Sequence, residues 1–500
     1  MIRNNLLANY AAQAFVAVIA FAFVPVYVNL LGIEAYGVVG FFALLLAGMA
    51  VLDGGFAPAL NREVARIANN DRDIHAVVRL VRSFEVLSVA GFFLVFIAIF
   101  YFSSWLSSEW LNADDIPVGV VRFSIILMGG VIALRIFEVV YKSVVLGLQR
   151  QVIFSLFSVV LALVRHAGAA IVLVFYGASL EAFFAWQIVA SFVSVIVYGL
   201  LVYKALPMCG AAWVVDFSYL RSVGGFAGGT FVAAVLAFFL GQLDKIFLSR
   251  LISLEEFSYY SIAAALASVI SLLVAPVSQA AYPYLVATRD GAHKHFMYRR
   301  FFQLVLVVLI PFSLVLSVFS EEILYAWAGS HSLAQESWRV LSLLALGNLL
   351  SGLMVLPFVM EYAEGRAGLV VKFNFFALVF VFFALLFLIP QLGAIGGAWA
   401  WFSLNVIYFF GMGWVVNNKV CGLNAVKWFF RDACLSFAAA LVVIVSVRFY
   451  TLPLVSGRWL SVLVALFAWV AGVLVVGSVL HSVRTYFLMG LRFILVGFSR

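Results

Sequence analysis

Charge is what this chain has least of. Only 10% of its 500 residues are Asp, Glu, Lys or Arg, while 66% are hydrophobic; a soluble domain carries roughly 25% charged residues. A chain with a mean hydropathy of +1.16 has too little polar surface to face water, so soluble folds are excluded. Lipid must be its solvent, and the spanning parts must be helices or a closed barrel, because hydrocarbon cannot satisfy an open backbone. A barrel would show alternation over runs of about 10 residues; the apolar runs here are about 20 residues long and unalternating, so they are helices. The three cysteines, Cys209, Cys421 and Cys434, have neither metal-ligand nor disulfide spacing. Long polar loops are missing too. No connection exceeds about 25 residues, which leaves no room for a soluble domain.

What is present is a run of apolar segments. The spacing predicts fourteen spans, at 6–30, 37–60, 84–106, 118–140, 152–176, 182–203, 223–249, 258–283, 301–319, 338–360, 369–389, 394–416, 432–451 and 459–481. Each is about long enough to cross some 30 Å of hydrocarbon. The first follows Met1 to Asn5 without a small-residue cleavage site, so it is expected to be a retained helix rather than a signal peptide.

Basic residues fall on alternate connections. Twenty-two of the 30 Lys and Arg lie on one side, from Arg3 through the group at Arg62, Arg66, Arg72, Arg79 and Arg82 and the loop residues Lys142 and Arg150 to the tail at Arg484, Arg492 and Arg500; only Arg250, Arg339 and Arg458 lie on the other. The rich side is therefore expected to be cytoplasmic, with both termini inside. The same scatter over short loops argues against nucleic acid as the reason for a net charge of +8.

A short internal similarity links Val26 to Tyr36 (VYVNLLGIEAY) with Ile246 to Tyr260 (IFLSRLISLEEFSYY). Each closes an odd-numbered span, crosses a short outer turn and opens the next span. The expected fold is an all-α integral membrane protein with two pseudo-symmetric six-helix lobes, 1–205 and 206–420, and two further helices with a cytoplasmic tail in 421–500. Parallel repeats of this kind recur in transporters, with the substrate path at the repeat interface. The glycines at 224, 228 and 229 and at 393, 396 and 397 suit close helix packing.

The other five basic residues, Arg122, Arg135, Arg165, Lys245 and Arg448, lie inside spans together with a few carboxylates, where each charge costs about 2.5–3.5 kcal/mol on insertion scales. Arg165 and His166 sit near the middle of the fifth span. Arg135 and Glu138, three residues apart, share a face of the fourth and can pair; Arg122 lies one turn inside its outer end. Asp244 and Lys245 are adjacent on the seventh. Asp53 and Arg62 lie toward the cytoplasmic end of the second. Arg165, Arg135, Lys245, Arg122 and His166 are the candidate substrate-binding residues. Asp53, Arg62, Glu138 and Asp244 are candidates for ion coupling or gating, and the sequence does not rank them. Each has a structural counter-reading as a buried pair or helix anchor. Guanidinium groups in a partly dry cavity suit phosphate, through bidentate charge-assisted bonds, so the deep arginines point to an amphipathic anion such as a lipid pyrophosphate bearing sugar.

Five blocks carry a family resemblance: LLANY at Leu6 to Tyr10, PVYVNLLGIEAYGVVGFF at Pro25 to Phe42, LDGGFAPALNREVAR at Leu52 to Arg66, YKSVVLGLQRQ at Tyr141 to Gln151, and GQLDKIFLSRLISLEEFSYYSIAAALA at Gly241 to Ala267. They cover about a sixth of the chain. In them the chain resembles the oligosaccharide flippases (O-antigen/polysaccharide, Wzx-type) of the multidrug/oligosaccharidyl-lipid/polysaccharide exporter superfamily. The resemblance implies export of undecaprenyl-pyrophosphate-linked oligosaccharide to the periplasmic leaflet of the bacterial inner membrane. It implies alternating access through a cationic central cavity, no enzymatic activity, no cofactor beyond coupling to H+ or Na+, and lipid-linked oligosaccharide, membrane lipids and polysaccharide-assembly proteins as partners. Two alternatives stand beside it. A drug or cation antiporter of the same superfamily needs a carboxylate-dominated cavity. A membrane glycosyltransferase or polysaccharide polymerase needs a reaction centre, commonly on a substantial outer loop, and the only adjacent outer Asp pair is Asp114 and Asp115.

Overall fold

A computed structural model describes residues 2–68, 74–206, 217–365, 367–454 and 457–480. Side chains are described for these except 2–8, 10, 50, 52–56, 217–230, 233, 367, 420, 421 and 423. Among the described residues the chain is helical throughout, with no strand beyond one isolated bridge between Asn112 and Ser253. The helices are α1 (Ile2–Leu31), α2 (Ile33–Arg66), α3 (Ile74–Trp105), α4 (Val118–Gly147), α5 (Gln151–Tyr176), α6 (Leu180–Ala205), α7 (Phe217–Leu251) and α8 (Leu254–Ala287). They continue with α9 (Gly291–Val318), α10 (Ser320–Ala328), α11 (His331–Ala363), α12 (Ala367–Leu392), α13 (Ala394–Ile407), α14 (Gly413–Val416), α15 (Leu423–Thr451) and α16 (Arg458–Val479). Wider π-type turns at Tyr408–Met412 and Asn417–Cys421 flank α14, so α13 and α14 form one long, irregular rod.

Twelve helices among the described residues are long and apolar enough to cross a membrane. The stretch from Ile74 to Trp110 shows why lipid is their solvent: only 11% of its most apolar window is buried inside the protein, and Leu94 and Phe93 are largely bare. Patches of that size would drive aggregation in water. The second and seventh expected spans fall on α2 and α7, which are continuous helices whose side chains are described only in part. The tail from 481 lies outside the described residues, as do the side chains of Gly224, Gly228 and Gly229.

Helix ends follow local chemistry. Ser179 caps α6 by accepting the Ala182 N–H, Asp290 caps α9 through Ala292 and His293, and Ser330 caps α11 through Leu333. Gly32, with φ of +90°, turns the chain between α1 and α2 without a Cβ penalty.

The chain divides into two compact units, 1–258 and 259–500. In the first, α4 is the central rod and lies against α2, α3, α5 and α6, while α1 packs along α5 and α2 along α7. Gly147 lets α4 close on α2: a Cβ there would stand 2.8 Å from Val64. The two similar turns at Gly32 and Ile252 sit together in this unit, where Ser258 Oγ donates to the Ile33 carbonyl. Asn112 holds the second turn by donating to the carbonyls of Arg250 and Ile252 and accepting, at its own carbonyl, the Leu254 N–H. In the second unit, α9 packs on α11, α15 and α16, and α13 on α11 and α12. Asp432 ties α15 to α9, accepting from Arg299 at 3.0 Å and from fully buried Gln303 at 2.8 Å. The close turn between α12 and α13 depends on Gly396, whose missing Cβ would overlap the Leu388 carbonyl.

Candidate functional site

Four helices of the first unit line an open cavity of about 430 Å³, a size suited to a small-molecule headgroup. Helical periodicity selects its walls. From α4 come Arg135, Glu138 and Lys142, spaced three and four apart and so on one face. From α5 come Ser155, Ser158, Ala162 and Arg165 at the same spacing, with His166 beside them. Asn9, Gln13 and Val16 line it from α1, and Ser194 and Tyr198 from α6. The remaining walls, Ala12, Val16, Ala17, Ala20, Phe154, Leu161 and Ala162, are small or apolar.

One carboxylate lies among three cations. Lys142 Nζ is 2.6 Å from Glu138 Oε1; Arg165 Nη2 and Arg135 Nη1 stand 3.8 and 4.0 Å from Glu138 Oε2. Glu138 is buried and Arg165 nearly so, with 5% and 15% of their side chains exposed. Oε2 accepts no hydrogen bond from the described residues, although a buried carboxylate oxygen normally finds a donor. The cluster therefore carries a surplus of two positive charges. Neither Arg135 nor Arg165 spends its guanidinium donors on a hydrogen bond within the described residues. Lys142 also lies over the Tyr198 ring, 5.2 Å from its centre, a cation–π placement that holds the ammonium at the cavity wall. Tyr198 shares a 2.9 Å hydrogen bond with Ser158.

His166 is fixed from α1. Tyr27 Oη donates to the His166 carbonyl at 3.0 Å and lies 3.2 Å from Nδ1. Both contacts come from the one Tyr27 hydroxyl, so α1 sets the orientation of the His166 ring.

The sequence candidates thus separate by place. Arg135, Glu138, Arg165 and His166 meet in one cavity. Lys245 lies elsewhere, donating to Gln242 on its own helix at 3.0 Å, with half-buried Asp244 beside it. Arg122 is exposed near the start of α4, and Arg62 is exposed on α2. The side chain of Asp53 lies outside the described residues.

Sequence reasoning missed Lys142 by counting it as a cytoplasmic loop residue. The signal was present: it is four residues from Glu138, and α4 continues to Gly147. It also missed a second buried ion pair. Arg82, counted with the loop charges, is only 5% exposed and donates to Glu85 Oε2 at 2.8 Å and to Tyr203 at 2.6 Å. Glu85 Oε1 accepts from Tyr141 and Tyr203 at 2.9 and 3.0 Å. This carboxylate is fully engaged, unlike Glu138, and joins α3, α4 and α6. Tyr141 precedes Lys142, so the pair also fixes the rotation of α4 below the cavity.

Comparison with known proteins agrees with this architecture. The family described as "Polysaccharide biosynthesis protein" matches residues 2–289. A "Putative O-antigen transporter" from Shigella flexneri is 23% identical over 414 residues, covering 81% of this chain and 95% of that one. Among solved structures, a lipid II flippase, MurJ, in an inward closed conformation aligns over 95% of this chain and 98% of its own, with a TM-score of 0.69 and 13% identity. A mutant form of the MATE transporter VcmN from Vibrio cholerae aligns over 85% of this chain and 98% of its own, with a TM-score of 0.59 and 14% identity. The fold is thus shared with a flippase and a transporter, and the resemblance read from the five sequence blocks is borne out.

Proposed function

The chain belongs to the polysaccharide biosynthesis protein family, and from that premise we propose that this multi-pass membrane protein is a flippase for lipid-linked oligosaccharide. The substrate is undecaprenyl-pyrophosphate-linked oligosaccharide, moved from the cytoplasmic to the periplasmic leaflet of the bacterial inner membrane by alternating access. One observation carries the reading: Arg135, Lys142 and Arg165 crowd a single carboxylate in a 430 Å³ cavity. Diphosphate presents several acceptor oxygens and negative charge, and guanidinium groups recognise it through paired charge-assisted bonds. Asn9, Gln13, Ser155 and Ser194 supply neutral donors and acceptors on the same walls, as sugar hydroxyls require.

In this reading Arg165, Arg135 and Lys142 bind the headgroup, and His166 adds a polar ring on the same wall. The moving parts are two lobes, expected from the sequence at 1–205 and 206–420 with the helices of 421–500 following, although α7 packs along α2 and the first compact unit runs on to Ser258; both termini are expected in the cytoplasm. Coupling to H+ or Na+ falls to a carboxylate among Asp53, Glu138 and Asp244, with Arg62 a gate residue; Lys245 and Arg122 remain candidate contacts along the path. An antiporter for cationic drugs would need carboxylates to outnumber cations, the reverse of this cavity. The named similar proteins are transporters and flippases rather than enzymes.

The test is the sidedness of lipid-linked oligosaccharide in cells lacking this protein, with rescue by wild type and by Arg165→Ala at equal membrane abundance. Accumulation on the cytoplasmic leaflet, relieved by wild type alone, is the expected result. Normal outward delivery without the protein, once redundant flippases are removed, would refute the reading.

A further inference from the structure

We propose that Glu138 is a built-in competing anion: it holds the cavity's cations when the site is empty and yields them to the diphosphate, so that bound substrate can leave. The inference rests on the headgroup reading above and assigns Glu138 a role distinct from proton or sodium transfer.

The geometry separates the two oxygens of this carboxylate. Oε1 is engaged by Lys142 at 2.6 Å, whereas Oε2 sits 3.8 Å from Arg165 and 4.0 Å from Arg135 without accepting a hydrogen bond from the described residues. Glu138 is thus tied firmly to one cation and loosely to two. A carboxylate placed only for stability would gain by closing those distances, as Glu85 does with its partners. The loose contacts leave the arginine donors unsatisfied, which favours an incoming oxyanion.

Charge balance points the same way. Three cations and one carboxylate leave a surplus of two positive charges. A diphosphate esterified at both ends carries roughly two negative charges, by analogy with phosphate esters near neutral pH. The loaded cavity is then neutral, the cheapest state in a low-dielectric surround. Without Glu138 the empty cavity would hold three uncompensated cations, and a bound diphosphate would be held too tightly to release. A transporter that binds one state very tightly gains affinity at the expense of turnover, since release becomes slow.

The measurement is binding of UDP-glucose, a soluble diester of diphosphate, to the full-length protein in detergent, with inorganic phosphate as a control. Wild type, Arg165→Ala, Glu138→Gln and Glu138→Asp are compared, and turnover is followed in cells. Glu138→Gln is expected to bind UDP-glucose about tenfold tighter, the size of one screened charge contact, and to release it more slowly, with transport reduced. Arg165→Ala is expected to weaken binding. Binding by wild type that weakens in Arg165→Ala but does not tighten in Glu138→Gln would overturn the competing-anion role and leave the headgroup reading intact. No binding by wild type would overturn both. If Glu138→Gln does not fold, infrared difference spectra of wild type decide. Adding UDP-glucose should shift a carboxylate stretch that Glu138→Asp, which keeps the charge, moves to a different frequency. An unmoved band would overturn the proposal.

Discussion

Lys142 lies 2.6 Å from Glu138, whereas Arg135, closer along the same helix, stays 4.0 Å from that carboxylate. Four residues of helix bring an ammonium over the carboxylate, and the opposite, three-residue spacing leaves the guanidinium turned toward the cavity. The cation bound by Glu138 and the cation left for a ligand are therefore different residues on one face.

Arg165 should be replaceable by neither Ala nor Lys. Arg165→Ala is expected to lower headgroup affinity by ~10–100-fold, the range for losing hydrogen bonds to a charged group. Arg165→Lys keeps the charge but loses the planar fork, and should fall between Ala and wild type. Titration of each variant with UDP-glucose checks the order; equal affinity for Lys and wild type would show that charge alone suffices.

The Glu85 network should behave as a structural clamp. Glu85→Ala strands buried Arg82 and the hydroxyls of Tyr141 and Tyr203, a loss of about 3–5 kcal/mol for a broken buried pair. Replacing both charges, Arg82→Met with Glu85→Leu, should recover most of it, because the unpaired charge is gone. Thermal unfolding in detergent reads both variants, and a double variant as unstable as Glu85→Ala would contradict the assignment.

Gly147 sits at a close approach of α4 to α2. Gly147→Ala places a Cβ 2.8 Å from Val64 and 2.9 Å from the Asn61 carbonyl, so one helix must shift. The expected cost is about 1–3 kcal/mol, as for other overpacked sites, with Gly147→Val worse than Ala. A melting temperature unchanged in both would mean that the contact is slack.

In the second unit, Asp432→Ala should destabilise more than Arg431→Ala. The first leaves fully buried Gln303 and half-buried Arg299 without their acceptor, at roughly 1–3 kcal/mol per unmet buried group. The second removes a mostly exposed partner, 67% of whose side chain faces outward, which surface ion pairs predict to be nearly silent. Comparing the melting temperatures of the two variants tests the order.

The sequence by itself determined the solvent and the secondary structure. A charge content of 10% and apolar runs of about 20 residues require lipid-embedded helices, because that constraint acts on each segment alone. The same local logic exposed Arg135, Glu138, Arg165 and His166, since a charge inside an apolar run is conspicuous wherever the helix packs. Only the tertiary structure decided which of these charges meet. Lys142 and Arg82 looked like loop residues because span edges were drawn where hydropathy fell, yet their helices run on and neighbouring helices bury them. Lys245 and Arg122 looked equivalent to Arg165 but lie outside the cavity. Whether a charge lines a chamber depends on the rotation of its helix and on the close approaches set by residues such as Gly147. Those are properties of packing between distant segments, which no local pattern encodes.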